Sequence, residues 1–586
     1  MNVGSSGCFD QKQQQLRILR VRREPFEYGL LPMPRLIFPD PLTALRGLYS
    51  KLRSEGNSIL VRSTDGNVHI DCAGIALALD LSEDEAQLVL ETLLSVLPDI
   101  QHGSSATSSP SPSDGSVSFE DFLLFLYIQN YKKPPIRPHK DAASVADVWP
   151  SSSAFDGIMA TLSPLQIRTG RKSFPSQVDE ESHQLSYIQK HLPQLLCLLA
   201  NMSAEDETDS QVLTLEQFDH LGFLLHVGEK GCASVPLSQL APFFANSDPD
   251  MPAAPVLLQQ VLEWLLEHLS VVADRSQERC RENGPEGDVD VTMLDASANT
   301  TFAPVSPRGT PTGGPSKIRN RQDGLTYIDG ITKVSVLKTE NEICGGSVKI
   351  SNCHDSVVYI LAPMKYASIY GCSDSIIVLG AAEKVVKIEY CERVQLIVCS
   401  RRVRITNCRE CLFNLAVNER PLILGENHNL QVAPYNTFYP RLEAHLAQAS
   451  IDVSVNKWDK FLTLGVLDPH DSLPHAAGVA DAPAEGASLL SPDRYTNFVI
   501  PKWNDSESAL EHITKGNPFV IPKAYIVAQQ QRSKAVDSLR NTLKNVPMDE
   551  SRRQDLTQAI HVHFREWLYA SGNIRQLYEF QDYDKD

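Results

Sequence analysis

One six-residue pattern recurs through the middle of the chain: Val348-Lys349-Ile350-Ser351-Asn352-Cys353, Ala367-Ser368-Ile369-Tyr370-Gly371-Cys372, Val386-Lys387-Ile388-Glu389-Tyr390-Cys391 and Val403-Arg404-Ile405-Thr406-Asn407-Cys408. Each copy reads apolar, any residue, isoleucine, two residues, cysteine. A fifth, Leu422-Ile423-Leu424-Gly425-Glu426-Asn427, puts asparagine in the cysteine slot, and the steps between slots are 19, 19, 17 and 19 residues. A second apolar run follows every slot, beginning with Val357 to Leu361 and ending with Leu430 to Ala433. A period near 19 with two or three short strands is too short for a propeller blade or a helical repeat, and it suits one coil of a parallel β-solenoid. Side chains alternate along a strand, so the two flanking apolar residues of each copy face inward and the residue between them faces outward. Lys349, Ser368, Lys387 and Arg404 then line one outer face.

Seven of the 12 cysteines fall in this region, at 344, 353, 372, 391, 399, 408 and 411. Cys408-Arg409-Glu410-Cys411 has half the spacing of a zinc site, but a structural site wants four ligands and neither a second such pair nor paired histidines stands nearby. Small free cysteines stacked at equivalent corners account for the regularity, so we expect no metal and no cofactor.

The rest of the 586-residue chain divides by composition. Residues 10–273 read as a mostly α-helical N-terminal half, with helical periodicity over 187–201 and 256–269 and Ser/Pro-rich inserts near 103–116 and 132–185 that we expect to be disordered. A Pro/Gly/Arg-rich linker covers 274–323, the repeats fill 324–440, and a C-terminal extension covers 441–586. The extension holds a second linker near 469–494 and two near copies, Phe498-Val499-Ile500-Pro501-Lys502 and Phe519-Val520-Ile521-Pro522-Lys523, read as short strands ended by proline. It closes with a helix near 550–571, where Leu556, Ile560, Phe564, Trp567 and Leu568 share a face.

The repeats resemble the C-CAP/cofactor C-like domain of the tubulin-binding cofactor C family. The resemblance continues through Val432-Ala433-Pro434-Tyr435, Tyr439-Pro440 and Asn456-Lys457-Trp458-Asp459, which are similar to the family's Phe-Ala-Pro-Tyr, Tyr-Pro and Asn-Asn-Trp landmarks. It implies a right-handed parallel β-helix. In two branches of the family it also implies GTPase activation, of β-tubulin in one and of Arl-type small GTPases in the other, by an arginine finger in a Gln-Gln-apolar-Arg strand. The matching segment here is Arg401-Arg402-Val403-Arg404, with Arg404 in the finger slot and arginine in both glutamine slots. Two readings stand: Arg404 as catalytic finger, or Lys349, Lys387, Arg401, Arg402 and Arg404 as a binding surface without catalysis.

Residues 331–440 hold 12 basic and 10 acidic side chains in a chain of net charge −18. The overall sign argues against nucleic-acid binding, while a basic solenoid face fits an acidic partner such as tubulin or a small GTPase. The resemblance implies a role in organising microtubules, with microtubule-organising-centre proteins as further partners, effects on organelle position and cell shape, and a place in the cytoplasm, on the cytoskeleton, at the centrosome or spindle pole. No apolar run is long enough for a membrane span, and the first residues lack a signal-peptide layout, so we expect an intracellular protein without direct membrane insertion. Three N-terminal segments, at Asp65, at Asp114 to Phe122 and at Asp206 to Glu216, echo calcium loops but lack the full ligand set. His561 and His563 point about 200° apart on a helix and cannot share a metal.

Overall fold

A computed structural model describes residues 19–54, 60–62, 68–98, 115–132, 177–200, 212–227, 236–244, 254–269, 325–343, 346–464, 487–500, 517–545, 549–570, 572 and 574–575. The N-terminal unit runs β1 (Leu19–Val21), α1 (Glu24–Tyr28), α2 (Pro41–Ser54), β2 (Leu60–Arg62), β3 (Val68–Asp71), α3 (Cys72–Leu79), α4 (Glu83–Val96), β4 (Ser116–Ser118), α5 (Phe119–Ile128), α6 (Gln177–Ala200), β5 (Val212–Leu213), α7 (Leu215–Asp219), β6 (Leu225–Val227), β7 (Val256–Leu257) and α8 (Leu258–His268). Helix α6 begins inside the stretch expected to be disordered.

Local chemistry sets these boundaries. Asp71 accepts from the Gly74 amide to cap α3, and Asp80 ends that helix in the left-handed region at φ 53°. Ser82 and Glu85 form a reciprocal capping box that starts α4. Helix α5 is buried at Phe119 and from Phe122 to Ile128 and forms the centre of the N-terminal core, with Phe26, Ile70, Leu93, Ile188 and Phe218 packed in the same cluster. Short antiparallel ladders join helix–loop–strand–helix units in pairs, β3 with β4 and β5 with β7.

Of the three calcium-loop echoes, Asp65–Asn67, Asp114 and 206–211 lie outside the described residues. With Gly115, at φ 56°, in loop position 6, position 12 falls on Asp121, and its Oδ1 lies 3.0 Å from His220 Nδ1. Glu216 sits within α7, whose start is fixed by a Thr214–Gln217 capping box. The Asp121 carboxylate is thus engaged by His220 within the chain.

The solenoid occupies the second half. One face stacks β8 (Leu325–Asp329), β10 (Ser347–Ser351), β12 (Tyr366–Tyr370), the ends of β13 (Ile376–Glu389) and β14 (Gln395–Thr406), β16 (Leu422–Leu424) and β18 (Leu462–Leu464). The other stacks β9 (Ser335–Thr339), β11 (Val357–Leu361), the starts of β13 and β14, β15 (Leu412–Val417), β17 (Gln431–Pro434) and β19 (Ser488–Leu489). All of these ladders are parallel. Val348, Ile350, Ala367, Ile369, Val386, Ile388, Val403 and Ile405 fill the interior, so the alternation read from the repeats holds in four coils.

The stacked cysteines have a structural use. Each thiol of Cys353, Cys372, Cys391 and Cys408 donates to the carbonyl two residues before it, at 3.4 to 3.5 Å. The residue between, Asn352, Gly371, Tyr390 or Asn407, is left-handed, with φ between 50° and 59°. Cysteine is small enough for the packed corner, and its thiol adds a second, weak donor to a carbonyl that already accepts a backbone amide from the neighbouring coil.

The fifth copy departs from expectation. Arg404 pairs with Leu422 and Ile405 with Ile423, so Ile423 faces inward while Leu422 and Leu424 face outward. Asn427 still sits beside Cys408, whose amide it accepts at 2.8 Å. One extra residue at the corner, where Gly425 adopts φ 69°, absorbs the difference. A slip of one residue in strand register exchanges the two faces.

The C-terminal extension covers the second outer face. Tyr359, Val378, Ile397 and Ala416 pack under Tyr435, Tyr439, Leu442 and Leu446, the last two from α9 (Leu442–Gln448). Phe498 and Phe519 join this cluster, and neither belongs to a strand, contrary to the reading of the two Phe-Val-Ile-Pro-Lys copies. Their backbones bond to the chain around them instead: Phe498 N donates to the Asn436 carbonyl at 2.8 Å and its carbonyl accepts from Thr437 Oγ1 at 2.7 Å, while Phe519 N donates to Asn517 Oδ1 at 3.0 Å. Lys523 opens α10 (Lys523–Asn545), and α11 (Glu550–Ala570) follows. Trp458, Tyr495 and Tyr525 close the end of the solenoid with edge-on contacts at 5.9 and 5.1 Å. Residues 465–486, most of the second composition-defined linker, lie outside the described residues.

Candidate functional site: the basic face of the solenoid

The outward residues of the first face are Lys349, Ser368, Lys387 and Arg404, in direct register from coil to coil. Arg402 lies on the same side two residues before Arg404, and Arg401 precedes it within β14. This is the row of cations read from the repeats. It does not face open solvent, because the N-terminal unit lies over it.

Helix α4 runs along the row. Near its start, Asp84 Oδ1 is 2.9 Å from Arg420 Nη1 on a late coil. In the middle, Glu91 pairs with Arg402 Nη2, and Thr92 Oγ1 accepts from Arg402 Nη1 at 3.1 Å. At its end, the Ser95 carbonyl accepts from Tyr366 Oη at 2.6 Å, and the Leu97 carbonyl accepts from Lys384 Nζ at 3.4 Å, both on earlier coils. The last carbonyls of a helix lack intrahelical donors and carry partial negative charge, so cations and hydroxyls are their natural partners. Before α4, the Tyr28 ring stacks on Tyr366 at 4.5 Å, and Arg404 Nη1 donates to the Leu30 carbonyl at 2.7 Å. Glu180 Oε2 of α6 lies 3.6 Å from Lys349 Nζ. Around this polar seam, Tyr366, Val385, Leu422 and Leu424 of the solenoid enter the N-terminal core.

The two guanidiniums are held differently. Arg402 is 4% exposed and sits between Glu91 and Glu419, the latter 3.1 Å from its Nε at an ion-pair distance without hydrogen-bond alignment. Arg404 meets one neutral carbonyl, and its Nε is buried without a hydrogen-bond partner. Burial lowers the pKa of both, opposed by Glu419 at Arg402 and by Glu389 at Arg404, yet guanidinium stays charged at any physiological pH. Burial also raises the Glu419 carboxyl against the pull of Arg402. Lys387 is 5% exposed and pairs with Glu389 in its own strand at 2.7 Å.

The chemistry available is therefore recognition of acidic and carbonyl oxygens. Lys349 and Ser368 also line a small crevice with Arg23, Glu24, Glu27 and Tyr28. Elsewhere His354, Ser373 and Asp374 cluster at a corner, but Ser373 Oγ at 2.8 Å and Asp374 Oδ2 at 3.8 Å both approach the same Nδ1, so they form no relay. Among the described residues there is no group of three or more His, Cys, Asp or Glu side chains that could hold a metal, and no helix is long and apolar enough to cross a membrane.

Sequence reading brought Lys349, Lys387, Arg402 and Arg404 to one face and missed what meets them. Glu91, Asp84 and Glu180 look in sequence like ordinary solvated helix charges, and the Leu30 carbonyl carries no side-chain signal at all.

Residues 345–463 match the family model described as Tubulin binding cofactor C. Over nearly the whole chain there is similarity to proteins named TBCC domain-containing protein 1. The protein from Homo sapiens is 25% identical, covering 96% of each chain. That from Gallus gallus is 25% identical over 95% of this chain and 96% of its own, and that from Danio rerio 25% over 95% and 92%.

Proposed function

We propose, from the premise that this chain belongs to the tubulin binding cofactor C domain family, that it is an interaction protein of microtubule organisation, with a tubulin-related partner and without strong catalysis of its own. The observation that carries the non-catalytic reading is the bond from Arg404 Nη1 to the Leu30 carbonyl under the N-terminal unit. An arginine finger works by entering a partner's nucleotide site with its geometry preset, and an arginine whose orientation is set by a carbonyl of its own chain is not preset for a nucleotide. The same reading places the protein in the cytoplasm at microtubule-organising centres such as the centrosome or spindle pole, where it influences organelle position and cell shape.

A second reading, activation of GTP hydrolysis by tubulin or an Arl-type GTPase, rests on Arg404 occupying the finger slot with an unpartnered Nε. Single-turnover GTP hydrolysis by tubulin, with its folding cofactors, and by a panel of Arl-type GTPases separates the two. The proposal expects tubulin binding with no stimulation, and equal behaviour of wild type and Arg404→Ala in hydrolysis. Stimulation that disappears in Arg404→Ala would replace it with the second reading. A fluorescent fusion spread evenly through the cytoplasm, with no enrichment at organising centres, would overturn the placement.

A further inference from the structure

The seam between the N-terminal unit and the basic face has the composition of a bound ligand. On one side stand Lys349, Lys384, Arg402, Arg404 and Arg420. On the other stand three carboxylates, Asp84, Glu91 and Glu180, and three backbone carbonyls, those of Leu30, Ser95 and Leu97. Five of these six groups belong to α4 or to the chain immediately flanking it and α1, so one acidic helix with its C-terminal carbonyls exposed supplies most of what the face recognises. Among the described residues, the apolar contribution from the solenoid comes from Tyr366, Val385, Leu422 and Leu424, with Leu462 and Leu464 at the margin. Interfaces of that kind within a chain resemble transient protein–protein contacts.

We propose that α4 is an intramolecular ligand of the basic solenoid face, and that the partner for this face is a protein presenting an acidic helix of the same design, which docks when the N-terminal unit swings away. This rests on the docking role proposed above and adds its regulation. Arg404 supports the idea specifically: of its five N–H donors one bonds a neutral carbonyl and Nε bonds nothing, while Glu389 acts on it through charge alone and is paired with Lys387, so a carboxylate at the Leu30 position would serve it better. Arg402, by contrast, already lies between two carboxylates, Glu91 of α4 and Glu419 of the solenoid, so it anchors α4 in the closed form.

The test uses the full chain and a probe that does not depend on tubulin. The probe is an alanine-based helical peptide carrying Ser82, Asp84, Glu85, Glu91 and Thr92 at their α4 positions, with a fluorophore at its N-terminus. Glu91→Arg sets a like charge against Arg402 and opens the seam, and Asp84→Lys does so more gently from the exposed end. We expect the peptide to bind either variant at least tenfold more tightly than wild type, and binding to be lost again when Arg402→Glu is added to Glu91→Arg, which restores an ion pair of reversed sense. Equal binding to wild type and both variants, or binding to none of them while circular dichroism shows them folded, overturns the proposal. Tubulin is run in parallel. If the peptide result holds and tubulin binds no variant, the tubulin reading fails and the intramolecular ligand stands. Tubulin binding wild type and the opened variants equally would show that the partner uses another face, and the regulatory claim would fall.

Discussion

Asn427 stands in the slot that cysteine fills in the preceding coils, and its Oδ1 accepts from the Cys408 amide at 2.8 Å while its Nδ2 donates to the Leu424 carbonyl at 2.8 Å. The side chain is 4% exposed and satisfies two backbone groups with one amide. Replacing it with alanine leaves the buried Cys408 amide unpaired and takes from the Leu424 carbonyl the shorter of its two bonds, the other coming from the Asn407 amide at 3.4 Å, at a cost of about 1–3 kcal/mol. Asn427→Ala should lower the thermal midpoint clearly. Asn427→Cys keeps a weak donor and should fall between alanine and wild type in the same melts.

Asp374 binds Arg393 through both oxygens, at 2.7 and 2.8 Å, and lies near Arg575, which also holds Asp355 at 2.6 Å. Burial works to raise its carboxyl, but the Arg393 hydrogen bond and charge, with Arg575 and His354, hold it below the ordinary 3.8. A folded pKa below the unfolded one gives stability that is present above the unfolded value and lost as pH falls through the folded value. Denaturant melts from pH 7 to pH 2 should show wild type losing more stability than Asp374→Asn. At pH 7 the variant should be weaker by about 1–3 kcal/mol, and equal slopes for the two proteins would contradict this account.

Tyr366 joins the two units through its ring and its hydroxyl. Tyr366→Phe keeps the stack on Tyr28 and removes only the donor to the Ser95 carbonyl, so the loss should be about 1 kcal/mol. Tyr366→Ala removes both and should expose the seam to limited proteolysis, while Tyr366→Phe leaves the cleavage pattern unchanged.

Leu422 and Leu424 are each 2% exposed, and they face the N-terminal core rather than the solenoid interior. Truncating either to alanine should cost about 2–5 kcal/mol. Because the contact lies between units, hydrogen exchange should rise in the N-terminal helices, with the inner strands around Ile423 still protected. Ile423→Ala should show the opposite pattern, loosening the last coils first.

The solenoid was legible because its repeat writes the same burial rule at Val348, Ala367, Val386 and Val403. Small residues at the corners mark where the chain turns, and the regular slots fix which coil lies over which. The fifth coil escaped because alternation in Leu422-Ile423-Leu424 is satisfied by either face, and only the spacing to Asn427 carries the register. Phe498 and Phe519 were misread as strand residues because apolar runs before proline describe a plug on a sheet as well as a strand in one. The candidate site was half legible: the cations repeat and can be aligned, whereas Glu91 and the Leu30 carbonyl belong to non-repeating sequence more than 300 positions away from the arginines they meet.

The extra residue at Gly425 has a consequence for how such proteins diversify. An insertion of three nucleotides at a turn leaves every strand's composition intact, yet it turns a row of leucines from filling into adhesive. A repeat architecture can thus acquire a neighbouring module without evolving a new surface, by re-aiming side chains it already owns, and the reverse deletion would discard the module just as abruptly.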